Sequence, residues 1–507
     1  MADDSDYVAM TTQTETDDTD DNNYTDDSEF EIIDLEPRPR SMSSSMNFII
    51  DDGGGDNSSE SDYESVACCR HINLTEDEIG DIIIDVYELF DEYIESNVLE
   101  LSSPAFYDQM FQFVTEVLLE EWIDADLCDE DQYFDIQYFV KEIYTSYVDF
   151  ARVPSRSRPI SATAITVNMC SHPPSSAIRE QIHKLQQIPQ PAQRTPEWYA
   201  FRNGLISASN AWKVFGSEAM RNSIIYEKCK CNDTTAENTA GRWVNVNSPM
   251  HWGVKYEPVS VMLYEKLTSA KIGEFGCIRH PKYPFIGASP DGINIDETSA
   301  HFGRMLEIKN IVNREITGIP KLEYWIQTQL QMETCDLDEC DFFETRFIEY
   351  VDETAFYDDD RQHRGVILYF TKHGDVNATP IYRYLPLHIN IDPQSIAEWI
   401  NNTKHEIQRE YETDHITHNS TIYWHLDEYS CVLIERNRPW FAAALPKIRE
   451  MWDIIETERK TGYEHRAAKK RENAIHKILV SIEASSTSYI VNNMPLSNSI
   501  CIVKLDT

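Results

Sequence analysis

Glu307 and Lys309, within the run Met305-Leu-Glu-Ile-Lys-Asn310, are the residues from which a chemical reading starts. In a strand, residues two apart share a face, so this carboxylate and ammonium project together, about 6 to 7 Å apart, while Leu306 and Ile308 turn the other way into a core. Upstream, Phe285-Ile-Gly-Ala-Ser-Pro-Asp291-Gly-Ile-Asn-Ile295 reads as an apolar strand, a Pro-Asp-Gly turn and a returning strand. If that hairpin pairs with the Glu307 strand, Asp291 lies beside Glu307. Two carboxylates converging with a backbone carbonyl, such as that of Ile308, form a hard, all-oxygen pocket suited to Mg²⁺ or Mn²⁺. Such an ion polarises a phosphoryl oxygen and acidifies a bound water, and Lys309 would orient that water or favour its hydroxide. The chemistry that needs these groups together is phosphodiester hydrolysis.

Each piece also has an ordinary reading. Glu-x-Lys on a strand is commonly a surface ion pair, and Ser-Pro-Asp-Gly is a common turn. Glu257, in His251-Trp-Gly-Val-Lys-Tyr-Glu257-Pro258, could be a charge favoured by a helix N-terminus. Gln327 and Gln331, in Tyr324-Trp-Ile-Gln327-Thr-Gln-Leu-Gln-Met332, could form a polar helix face. The ordered combination is more specific than its parts.

The elements that must position these groups follow from local signals. His251 to Pro258 enters a helix continuing through Leu263 and Leu267, and Tyr324 to Met332 lies on a helix after Pro320. Thr195 is a good N-cap and Pro196 a good first helical residue, so a helix runs to Arg202 and ends at Gly204. Ile206-Ser-Ala-Ser209 then begins a second helix, whose amides and hydroxyls with Arg202 make a ready anion site.

Charge and composition divide the rest. The 507 residues hold 87 acidic and 44 basic side chains, a net charge of −43, yet residues 1–150 alone carry 42 acidic and 4 basic. This excludes a basic nucleic-acid coat but leaves room for a local cationic groove behind the acidic front. Residues 1–66 read as a disordered acidic tail. From Leu74, apolar residues recur at three- and four-residue spacing behind Thr75-Glu-Asp-Glu78, and 73–150 read as an acidic helical unit. Residues 151–188 form a linker with a short helix from Ser176 to Gln187, 189–450 the domain carrying the chemistry, and 451–507 a C-terminal helical extension. Asp352 to Asp375, with Asp358-Asp-Asp360, reads as a surface insertion. Lys469-Lys-Arg471, with Arg466 and Lys477, could track a nucleic-acid backbone or form a solvated helix face. The 11 cysteines include no Cys-x-x-Cys pair, which favours reduced thiols over a metal cluster. No apolar run approaches the ~20 residues of a membrane span, and the acidic start is the reverse of a signal peptide. A soluble, intracellular protein is expected.

Taken in order, Phe201-Arg-Asn-Gly-Leu-Ile-Ser-Ala-Ser209, Trp252-Gly-x-x-x-Glu257, Ser289-Pro-Asp-Gly292, Leu306-Glu-Ile-Lys309 and Tyr324-x-x-Gln-x-Gln329 resemble the lambda-type alkaline exonucleases, or YqaJ-like viral recombinases, of the PD-(D/E)xK nuclease superfamily. The resemblance covers about residues 190 to 350. It implies an α/β, restriction-endonuclease-like core, a central mixed β-sheet flanked by helices. By the same resemblance Asp291, Glu307 and Glu257 hold two metal ions, Lys309 is the catalytic lysine, and Gln327 is the motif glutamine. Arg202 and Ser209, with Ser289 as helper, match residues that bind the 5′-phosphate of the digested strand, which implies 5′-to-3′ exonuclease action on duplex ends. It further implies a single-strand annealing partner, a ring-shaped trimer, and a large DNA virus as source, acting in host cytoplasm, viral factory or nucleus. One departure stands out: the Lys309-to-Gln327 spacing is shorter than in the phage enzyme.

Overall fold

Apolar periodicity builds the front of the chain. In this computed structural model the described residues are 76–151, 156–159, 175–191, 195–230, 245–246, 248–372, 379–411 and 415–468. The acidic tail of 1–66, residues 152–155 and 160–174 of the linker, and Lys469, Lys470, Arg471 and Lys477 lie outside them. Helices α1 (Glu76–Ser96), α2 (Phe106–Asp124) and α3 (Tyr133–Ala151) form the acidic helical unit. Their inward faces bury Val86, Phe90, Met110, Val114, Phe139 and Val140. That core is continuous with the one behind it. Trp440 Nε1 donates to Leu99 O at 3.3 Å. Buried Arg156 ties the unit down, donating from Nη2 to Ser102 O and Pro320 O at 2.9 Å each.

Helix α4 (Ser176–Gln187) occupies the expected span, and α5 (Pro196–Asn203) is capped by the Thr195 hydroxyl, which accepts from Trp198 N at 3.2 Å. Next come β2 (Ile206–Ser207), a four-residue helical turn α6 (Ala208–Ala211), α7 (Glu218–Cys229) and α8 (Pro249–Thr268). The C-terminal half adds helices α9 (Leu322–Cys335), α10 (Glu353–Asp358), α11 (Pro393–Glu410) and α12 (Arg438–Thr461).

The main sheet is mixed and eight-stranded. Its order is β10 (Pro380–Tyr384), β9 (Arg364–Lys372), β11 (Ile416–Glu435), β8 (Glu339–Glu349), β7 (Met305–Asn310), β6 (Gly292–Asn294) and β3 (Ile272–Gly273), with β1 (Arg158–Pro159) also pairing β11. Only β7 and β8 pair in parallel among these. Both faces of β7 are covered. Met305 joins the cluster that includes Ile326 and Leu330 of α9, while Leu306 and Ile308 join Tyr256, Val259 and Leu263 of α8. The expected α/β architecture, a central mixed sheet flanked by helices behind a helical unit, is therefore present. No helix among the described residues is long and apolar enough to cross a membrane.

Three sequence expectations need correction. Phe285 to Ile295 is not a hairpin: β5 (Ile286–Ala288) belongs to a second, three-stranded sheet with β2 and β4 (Ile278–Arg279), whereas β6 joins the main sheet. Ser289-Pro-Asp291 is thus a strap between sheets. Gly292 starts β6 because a Cβ there would meet Ile272 Cγ2 at 2.1 Å. Asp352 to Asp375 is not a surface insertion, since it contains β9, whose Val366, Ile367 and Leu368 are buried. One helix, α12, runs through residue 450, and its Met451, Trp452 and Ile455 join the same core as Trp440, so that position marks no change of element.

Trp325 of α9 is fully buried, meets Trp440 edge-on with ring centroids 5.2 Å apart, and donates from Nε1 to Arg156 O at 3.1 Å. Trp325→Ala is expected to cost about 3–5 kcal/mol in denaturant unfolding, the usual range for emptying a buried Trp site. A loss below about 1 kcal/mol would mean that this junction does not hold the helical unit to the sheet.

Candidate active site

Glu307 sits on β7, an inner strand of the sheet, with no solvent exposure. A buried carboxylate is costly unless its oxygens are satisfied, and here three groups satisfy them. Gln327 Nε2 donates to Oε1 and Gln331 Nε2 to Oε2, both at 2.7 Å, and Lys309 Nζ pairs with Oε1. Gln327 and Gln331 lie one turn apart on α9, so a single helix face delivers both amides. Lys309 also lies 4.9 Å from the Tyr324 ring centroid.

Antiparallel pairing of Gly292 with Leu306 brings Asp291 alongside. Its Oδ2 accepts from Ile308 N at 2.7 Å, which fixes one carboxylate oxygen on the strand bearing the other acid. Burial, then Glu307, then Glu257 push the Asp291 carboxyl well above its ordinary range, while Lys309 and the Ile308 amide oppose them. The Lys309 ammonium is held above its ordinary range by Glu307 and Asp291, which outweigh the opposing effect of burial. Three carboxylates facing one ammonium leave an excess of negative charge inside the protein, and the oxygen-only donor set suits a hard divalent cation. The residues present therefore fit Mg²⁺ or Mn²⁺. Side chains alone do not close its shell: among the described residues no three His, Cys, Asp or Glu groups gather around one point. The Ile308 carbonyl, water and a substrate phosphate would supply the rest, as is usual for an ion that keeps several waters.

Glu257 stands in the middle of α8, two turns past the Ser248 N-cap, so a helix-start charge does not account for it. Asn310 fastens that helix to β7. Its Nδ2 donates to Gly253 O at 3.0 Å, and its Oδ1 accepts from Ser260 Oγ at 2.7 Å and Thr345 Oγ1 at 2.8 Å.

The expected anion-binding residues lie on α5, on α6 and on the strap that follows β5, beside the second sheet. Arg202 ends α5 with its guanidinium 4.5 Å from the Trp198 ring centroid. Ser209 is exposed, its Oγ 3.2 Å from that of Ser207 at the start of α6. Helix α6 has only four residues, too few to build much of a dipole, which leaves cations as the main attraction for an anion. Ser289 lies on the strap, and its carbonyl accepts from Gln331 Nε2 at 3.2 Å. Gln331 therefore links this side to Glu307. The sequence marks Gln331 only as part of a polar helix face and gives Asn310 no role of its own. The one sequence signal for Gln331 was a second amide four residues after Gln327. Arg466 is taken by Glu458 and Asn222, which removes it from the expected basic track.

Residues 197–338 match the YqaJ-like viral recombinase domain family. An uncharacterized protein of Acanthamoeba polyphaga mimivirus is 26% identical over 306 residues, 54% of each protein, so the chain spans about half the length of that curated relative. Among solved structures, the alkaline exonuclease LHK-Exo from Laribacter hongkongensis is 21% identical, with a TM-score of 0.31, over 53% of this chain and 95% of its own. A phage related exonuclease from Haemophilus somnus 129PT is 14% identical, with a TM-score of 0.27, over 52% of this chain and 96% of its own.

The raised Asp291 carboxyl carries a stability consequence. Above the unfolded carboxylate range the folded state holds this proton more tightly, so without divalent ions stability falls as pH rises toward the folded value. Asp291→Asn is expected to remove that slope and to make the metal-free protein more stable than the parent at pH 8, with the gain vanishing toward pH 4. Urea unfolding in EDTA at both pH values checks this. A variant less stable than the parent at pH 8 would contradict it.

Proposed function

We propose, from the premise that residues 197–338 form a YqaJ-like viral recombinase domain, that this chain is a divalent-metal-dependent deoxyribonuclease digesting linear duplex DNA from 5′-phosphorylated ends. The observation that carries the reading is the juxtaposition of Asp291 with Glu307 across paired strands, with Lys309 on the second of them. A bound Mg²⁺ or Mn²⁺ would supply Lewis-acid activation of the phosphoryl group and of a water. The protein does the positioning. Asp291 and Glu307 supply the anionic cradle, and Gln327 and Gln331 fix the orientation of Glu307. Lys309, cationic throughout the physiological range, donates toward the water or the developing oxyanion. Glu257 adds negative charge from α8 and would help hold a second ion.

Arg202, Ser209 and Ser289 receive the terminal 5′-phosphate, which makes the enzyme start at an end and proceed 5′ to 3′. Resection of that kind leaves a single strand on which an annealing protein can load for recombination, repair or genome processing. A ring-shaped trimer enclosing the duplex belongs to the same proposal.

The test is digestion of a 5′-phosphorylated linear duplex and of a closed circle with Mg²⁺, for the parent and for Lys309→Ala. The expected result is digestion of the linear duplex only. Lys309→Ala should lower the rate by a factor of about 10² or more, the scale of losing one positioned charge stabiliser, while DNA binding persists. Digestion of the circle would favour an endonuclease. Binding without turnover by the parent, or undiminished cleavage by the variant, would overturn the catalytic assignment.

A further inference from the structure

A second arginine stands beside the proposed terminal-phosphate residues. Arg279 ends β4, and its guanidinium lies 4.8 Å from the ring centroid of Phe201, the residue next to Arg202. Gly204 leaves it room, since a Cβ there would sit 3.3 Å from Arg279 Nη2. Arg279 therefore reaches the C-terminal end of α5, where Arg202 lies.

Cys277 marks where the charges meet. Its thiol is buried, and burial pushes it up, while the Ser289 side chain and then Arg202, Lys228 and Arg279 oppose that rise. Lys228 approaches from α7, its Nζ 3.4 Å from Arg202 O. Three cations from three elements thus act on the thiol across from Ser289, since Ile278 pairs with Ala288.

Their pairing differs. Lys228 meets Glu227 at 3.3 Å, whereas among the described residues neither Arg202 nor Arg279 has a carboxylate partner. Most other described arginines do, including Arg304, Arg314, Arg346, Arg383 and Arg436. Each of the two guanidiniums instead packs on an aromatic ring, which holds the fork in place without neutralising it. Two stacked, uncompensated guanidiniums beside a serine hydroxyl suit an anion bearing more than one charge.

We infer that Arg279 is a second phosphate-binding guanidinium, acting with Arg202 to select a terminal phosphomonoester over an internal phosphodiester. This rests on the terminal-pocket reading above and deepens it. A phosphomonoester carries a charge of about −1.5 to −2 at neutral pH, against one negative charge for a diester. One guanidinium balances a diester as well as it balances half of a monoester. A pair favours the monoester by charge as well as by fit.

The test measures initial rates on two linear duplexes of one sequence, 5′-phosphorylated and 5′-hydroxyl, with Mg²⁺ and the full-length chain. The readout is the ratio of the two rates, which cancels any general loss of folded enzyme. Arg279→Gln and Arg202→Gln are each expected to lower that ratio about tenfold or more, as for loss of one charge-assisted hydrogen bond. Arg279→Lys should recover part of it, and the double variant should fall short of the product of the single effects, because both groups hold one phosphate. If Arg202→Gln collapses the ratio while Arg279→Gln leaves it intact, the role of Arg279 is refuted and the pocket stands. If Arg279→Gln lowers both rates equally, the residue is structural and the inference is likewise refuted. If neither variant changes the ratio while cleavage continues, the terminal-pocket reading itself has failed.

Discussion

A carboxylate with no solvent exposure, placed on an inner strand of a sheet, is the constraint around which the candidate site of this protein is built. Glu307 is tolerated there because two glutamine amides and a lysine ammonium reach it. Those partners must come from somewhere rigid. Helix α9 supplies the amides, and its other residues are spent holding it still. Trp325 packs on Trp440, and Gln329 accepts from Asn437 N at 2.7 Å and donates to Glu435 O at 2.9 Å. Removing either glutamine would leave a buried oxygen without its donor, so the helix and the carboxylate are mutually dependent.

The same residues connect regions distant in sequence. Gln331 reaches both Glu307 and the strap carrying Ser289, so the orientation of Glu307 and the placement of Ser289 share one side chain. Asn310 does the equivalent for Glu257, joining β7, β8 and α8 in one hydrogen-bonded knot with Ser260 and Thr345. Charge follows the same division. Acidic groups gather where a divalent ion would sit, and two arginines with no carboxylate partner among the described residues lie where a terminal phosphate would sit. The helical unit at the front, bound through Arg156 and Trp440, stabilises the far side of α9 and α12 and contributes none of these groups.

Period-two patterning made the facing of β7 legible, because Glu307 with Lys309 and Leu306 with Ile308 differ in kind across one strand. The N-cap at Thr195 and the span of α4 were equally local. What failed was non-local. Pro-Asp-Gly is a hairpin signature, yet the strands on either side pair with different partners, and only tertiary packing decides that. The acidic run Asp358 to Asp360 hid the strand that follows it, although Val366-Ile-Leu-Tyr-Phe370 has the composition of a buried strand. Arg279 carries no signal of its own, and Gln331 only its four-residue spacing from Gln327, since their neighbours in space come from β7, the strap and α5. Motif resemblance pointed to the acids and the lysine; the groups that touch and orient them needed coordinates.

The most direct measurement is anomalous X-ray diffraction from crystals soaked in Mn²⁺. A peak is expected within about 2 to 2.5 Å of carboxylate oxygens from both Asp291 and Glu307, and it should disappear in crystals of Asp291→Asn. A peak bound elsewhere, or none under conditions in which the enzyme cuts DNA, would contradict the assignment of these two acids as the metal cradle.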